Sequence, residues 1–120
     1  MKTPEGHIKA AILRYFERRG ILAWNNPTGR VRIASDRWVS FGMKGSADIV
    51  GCLPDWRFLA VECKAPKGRL THEQAAFLER IQGLGGVTIV ARSFMELDEA
   101  LRKAGYAAED MPLFEGRNYE

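Results

Sequence analysis

Three charged residues stand where their neighbours signal a core. Asp48 heads the run Asp48-Ile49-Val50-Gly51, and Glu62 and Lys64 close the run Phe58-Leu59-Ala60-Val61-Glu62-Cys63-Lys64. Carboxylates and amines are rarely buried among Ile, Val, Leu and Phe without a partner. Alternate side chains of an extended chain share a face, so Glu62 and Lys64 point one way and Val61 and Cys63 the other. If the loop centred on Asp55 closes a hairpin, residues equidistant from it lie opposite each other, and Asp48 faces Glu62. Directly opposed residues have Cβ atoms about 4.5–5.5 Å apart, and like charges there repel. Two carboxylates held that close need a cation. A hard divalent ion bound through oxygen, Mg²⁺ or Mn²⁺, suits them, with Lys64 beside it as a positive group for substrate or water.

The surrounding elements must hold that pair in place. Thr3-Pro4 opens a helix in which Ile8, Ala11, Ile12, Tyr15 and Phe16 recur at helical spacing up to Gly20. Strand-like segments follow at 21–24, 30–34 and 37–41, with the turn-forming Asn25-Asn26-Pro27-Thr28-Gly29 between the first two. After the Asp48 and Glu62 strands, Pro66-Lys67-Gly68 breaks the chain. A helix then starts at Thr71, with Gln74, Phe77, Leu78 and Ile81 on one face. Val87–Ala91 is a further strand, and Ser93-x-x-Glu96 is a capping box opening a last helix to Gly105. This order predicts an α/β fold: a mixed β-sheet of four to five strands flanked by helices, with a β-α-β crossover around the Thr71 helix.

At 120 residues the chain has room for one domain, expected over 4–105, with 106–120 as a weakly ordered acidic tail. No run approaches the roughly 18 apolar residues of a membrane span, and the N-terminus has no apolar secretory core. Cys52 and Cys63 sit in apolar strand patterns and read as reduced, packed thiols in a cytoplasmic protein. His7 and His72 read as solvent-facing helix residues. Residues 1–91 carry 14 Lys/Arg against 8 Asp/Glu, and residues 92–120 carry 4 against 7. A basic body with an acidic tail suits a polyanionic partner, although a solvated basic face would give the same count.

The ordered set of motifs resembles the VRR-NUC branch of the PD-(D/E)XK nucleases. It comprises Glu5 at the start of the first helix, Gly42-x-x-Gly45-x-x-Asp48-Ile49-x-Gly51, Glu62-Cys63-Lys64 and Leu70-Thr71-x-x-Gln74, over residues 4 to 93. Ala47 stands where the superfamily's naming proline would be, and Ile89-Val90-Ala91-Arg92-Ser93 matches the naming Val-Arg-Arg motif only in part. The resemblance implies a PD-(D/E)XK restriction-endonuclease-like core and metal-dependent hydrolysis of phosphodiester bonds. Asp48, Glu62 and the backbone carbonyl of Cys63 would hold one Mg²⁺ or Mn²⁺, and Glu5 would bind a second ion or position water. Lys64 would orient the attacking water or stabilise the transition state, and Gln74 would shape the site. Arg30, Arg32, Arg37, Lys44, Lys67 and Arg69 would contact the DNA backbone. Single-domain members further imply a homodimer acting on branched DNA such as four-way (Holliday) junctions, with no membrane and no small-molecule cofactor.

Each residue also has a structural explanation. Glu5 would favour the helix dipole of the first turn, Gln74 would complete a capping box with Thr71, Asp48 would cap a turn, and Lys64 would pair with Glu62. A sequence-specific restriction-type endonuclease and a catalytically inactive DNA-binding module on the same fold are the alternative functions. For the arginine-bearing strands at 30–41, the apolar Val31, Ile33, Trp38, Val39 and Phe41 are expected either to fill the core or to form a dimer surface.

Overall fold

A computed structural model describes residues 4–106, with backbone only for Pro4 and Glu5. The element order is α1 (Pro4–Arg18), β1 (Leu22–Asn25), β2 (Gly29–Ala34), β3 (Arg37–Phe41), β4 (Ile49–Cys52), β5 (Phe58–Cys63), α2 (His72–Gly83), β6 (Val87–Ala91) and α3 (Phe94–Lys103). Four strands form a mixed sheet in the order β1-β4-β5-β6. The β1–β4 and β4–β5 pairs are antiparallel, and β5–β6, joined through α2, is parallel.

Strand alternation sorts the side chains onto two faces. Ile49, Leu59, Val61, Cys63, Val87, Ile89 and Ala91 meet Ile12 and Phe16 of α1 and Leu97 and Leu101 of α3 in the larger core. Val50 and Ala60 point the other way, onto Leu78, Phe77 and Ile81 of α2. The sheet is therefore sandwiched between α1 with α3 on one side and α2 on the other. Gly51 makes the β1–β4 contact possible: a Cβ there would sit 2.1 Å from the Leu22 carbonyl oxygen.

The sheet has four strands because β2 and β3 do not join it. They form a separate two-stranded arm, and every residue from Gly29 to Phe41 is exposed. Filling the monomer core is thus ruled out for Val31, Ile33, Trp38, Val39 and Phe41, all between 42 % and 53 % exposed. Their alternation identified strands correctly, but alternation carries no information about which sheet a strand enters.

The helices start as their caps dictate. At α2, Thr71 Oγ1 accepts from the Gln74 N–H while Gln74 Oε1 accepts from the Thr71 N–H. At α3, Ser93 Oγ accepts from the Glu96 N–H, but Glu96 Oε1 accepts from the N–H of Arg92, one residue earlier than a capping box requires. Tyr106, placed by sequence at the start of the tail, packs against the larger core and donates its N–H to the Leu101 carbonyl. The acidic tail beyond it lies outside the described residues.

Candidate active site

The β4–β5 register pairs Ile49 with Val61 and Val50 with Ala60, so its continuation sets Asp48 against Glu62. The chain closes that pair with a specific bond: the Cys63 N–H donates to Asp48 Oδ2 at 2.8 Å. A strand residue directs its N–H and its C=O to the same side. The Cys63 carbonyl therefore also faces Asp48, while the Cys63 thiol is buried in the larger core. Neither Cys63 nor Cys52 forms a disulfide among the described residues.

Glu62 is 1 % exposed, the one buried charged residue among those described. By alternation with Ala60 its carboxylate lies on the α2 face, and Gln74 Nε2 of α2 donates to its Oε1 at 3.3 Å. One end of the Gln74 amide thus completes the α2 capping box and the other bonds Glu62. Lys64 continues the parallel ladder through its N–H to the Ala91 carbonyl, which keeps its side chain on the Glu62 face.

Two carboxylates side by side, one wholly buried, are costly unless a cation or proton accompanies them. With the Cys63 carbonyl they could supply an all-oxygen donor set on one side of the β4–β5 junction. This set fits a hard divalent ion. Among the described residues no third carboxylate, histidine or thiolate completes a cluster with them. Glu5 lies in the first turn of α1, but its side chain is outside the described residues.

Two residues that support the site carried no sequence signal beyond a turn or an incomplete motif. Asn26 donates its amide to Ser46 Oγ at 2.8 Å and the Ala47 carbonyl at 2.9 Å, and its N–H to the Asp48 carbonyl at 2.7 Å. It therefore ties the root of the arm to the segment that presents Asp48. Arg92 donates from its guanidinium to the Gly68 carbonyl at 2.9 Å, fixing the loop that carries Lys67 and Arg69 beside the end of β5. Gly45, at φ +85°, abuts Glu73, where a Cβ would come within 2.6 Å of the Glu73 Cβ and 2.8 Å of its backbone carbonyl. The Gly42–Gly45 loop is thereby seated on the first turn of α2.

The basic residues surround this centre unevenly. Arg30, Arg32 and Arg37 are on the arm, Lys44 on the loop at its root, and Lys67 and Arg69 on the loop between β5 and α2; all are exposed. Arg32 is occupied at the arm's tip, where its guanidinium donates to the Ala34 and Ser35 carbonyls. Lys44 pairs with Glu73 at 3.5 Å. The Glu73 carboxyl is held below the usual carboxylate range, first by its own backbone N–H and then by Lys44. His7 and His72 are exposed, as expected.

No helix of the described residues is long and apolar enough to cross a membrane. Comparisons with curated proteins and with solved structures return no match. The profile of the VRR-NUC domain, in contrast, matches residues 4–95, a span holding Glu5, Asp48, Glu62, Lys64 and Gln74 together with the arm and both caps of the site. The chain is a member of the VRR-NUC family of nuclease domains.

Proposed function

We propose that this protein is a divalent-metal-dependent endonuclease with a PD-(D/E)XK core that cuts branched DNA as a symmetric dimer. The observation that carries the reading is the β4–β5 register, which sets Asp48 opposite a fully buried Glu62 with Lys64 next on the same face. Asp48, Glu62 and the Cys63 carbonyl would hold one Mg²⁺ or Mn²⁺, and Glu5 would reach a second ion or a water from the head of α1. When bound, the ion lowers the pKa of water and neutralises charge on the phosphate.

The chain's own groups do the rest. Gln74 fixes the Glu62 carboxylate so that its donor oxygen is held in place before any ion arrives. Lys64 brings a positive charge to the same face, suited to orienting the attacking water or to stabilising the oxygens of the transition state. Arg30, Arg32, Arg37, Lys44, Lys67 and Arg69 offer contacts to backbone phosphates, which position a duplex without reading its sequence.

The dimer follows from the arm. A lone two-stranded hairpin is marginal in water, and Val31, Val39 and Phe41 expose an apolar face on this one. A second copy covering that face would give the assembly two equivalent sites, matching the two equivalent strands of a four-way junction. The test is a panel of labelled four-way junction, flap, nicked and continuous duplex DNA with Mg²⁺, Mn²⁺ or EDTA. Metal-dependent cuts concentrated at branches support the reading, and sequence-specific cuts in continuous duplex refute it.

A further inference from the structure

The arm has two unlike faces. Its register pairs Arg30 with Ser40, Val31 with Val39 and Arg32 with Trp38. Alternation therefore places Val31, Val39 and Phe41 on one face and Arg30, Arg32, Trp38 and Ser40 on the other. Trp38 is thus the one large apolar side chain on a basic, polar face, and it is 52 % exposed. The Arg30 guanidinium lies over its ring, 5.1 Å from the centroid. Arg30 and Ser40 continue from there into a cleft of about 220 Å³ at the root of the arm, which Thr28, Gly29, Phe41, Gly42 and Lys44 also line. Lys44 is paired with Glu73 but largely exposed, so its ammonium remains open to solvent on the cleft side. The root of this cleft is joined to the site through Asn26, which bonds Ser46, Ala47 and Asp48.

An aromatic ring flanked by arginine, beside a cleft whose lining joins two cations and two hydroxyls to the Phe41 ring, is chemistry for a nucleotide. A base stacks on the ring, and its phosphate meets the cations. Paired bases in continuous duplex are already stacked and cannot offer a face to a side chain. We infer that the Arg30–Trp38 face of the arm captures an unpaired nucleotide of the DNA, its base on Trp38 and its phosphate toward Arg30, Ser40 and Lys44. The inference rests on the nuclease reading above and deepens it. The feature selected at a flap, or at any branch with a single-stranded segment, is then an unpaired nucleotide held by the arm.

The test uses flap DNA carrying one 2-aminopurine in the unpaired segment, with a continuous duplex as reference and Ca²⁺ in place of Mg²⁺ to suppress cleavage. Wild-type protein binds the flap more tightly than the duplex and quenches the 2-aminopurine on binding. Removing one stacked base is worth about 1–3 kcal/mol, roughly 5- to 150-fold. The ratio of duplex to flap Kd accordingly falls by about tenfold or more in Trp38→Ala, with the quenching lost, and Trp38→Phe restores both. Quenching that persists in Trp38→Ala, or an unchanged Kd ratio in that variant, overturns the proposal while leaving the nuclease reading intact. A wild-type protein that binds neither DNA overturns both. Because Trp38 is exposed and makes no core contact, the melting temperature of Trp38→Ala serves as the folding control, and a lack of rescue by Trp38→Phe in a folded protein also counts against the proposal.

Discussion

Gln74 Nε2 lies 3.3 Å from Glu62 Oε1 while the other end of the same amide caps α2 at Thr71. One side chain thus couples the start of a helix to the buried carboxylate of the site. Replacing it with alanine removes both functions. Thr71 Oγ1 keeps its bond to the backbone N–H of residue 74, and the lost return bond costs about 1 kcal/mol, a few degrees in Tm for a domain of this size. Gln74→Ala therefore melts a few degrees lower and cuts DNA more slowly. Gln74→Glu preserves the capping geometry but turns a donor into a second carboxylate against Glu62, so it retains more helix stability than Gln74→Ala and gains a stronger dependence on added metal. Thermal melts with and without Mg²⁺ separate the two variants, and identical melts would dissociate the cap from the site.

The carboxylate pair predicts a metal response that needs no activity. A ligand that binds only the folded state stabilises it by about 2.7 kcal/mol at one hundred times its Kd. Wild-type Tm should rise on adding Mg²⁺ or Mn²⁺ and fall back with EDTA. Glu62→Gln removes the buried charge at nearly unchanged side-chain size, so its metal-induced rise is lost. A Glu62→Gln protein that is stabilised by Mn²⁺ as much as wild type would place the ion elsewhere.

Phosphate contacts predict the salt dependence of binding. Each lost contact makes the slope of log K against log salt shallower by about 0.9 on duplex DNA. Arg30→Ala should show that change. Arg32→Ala should show less, because its guanidinium is already bonded to the Ala34 and Ser35 carbonyls. Titrations at four salt concentrations decide the order of the two, and a larger effect at Arg32 would mean that the tip rearranges on DNA.

The exposed apolar face of the arm predicts the assembly. Light scattering at micromolar concentration should report a dimer, and Val39→Asp, which places a charge opposite Val31, should yield a monomer with an intact core. A wild-type monomer that still makes paired, symmetric cuts in a junction would remove the arm from assembly.

The pairing of the candidate site residues was more legible in the sequence than the scaffold around them. Asp48 and Glu62 could be set opposite each other because a hairpin about Asp55 leaves one register, and that register is observed. Gln74 was legible as a cap from its spacing to Thr71, and its second bond, to Glu62, follows from the same inward face. The arm was legible as two strands and not as a separate sheet, since Val31 and Val39 alternate like core residues yet face outward. Asn26 and Arg92 act through side-chain bonds to carbonyls of distant residues, and no periodicity records such bonds.

The central claim is that Asp48, Glu62 and Lys64 form a hydrolytic centre. It is tested most directly by following the cleavage of end-labelled branched DNA by purified wild type, Glu62→Gln and Lys64→Ala, each with Mn²⁺. The account predicts cuts by wild type that EDTA abolishes, and a loss on the order of a hundredfold or more in both folded variants. Cleavage by either variant at the wild-type rate would contradict it.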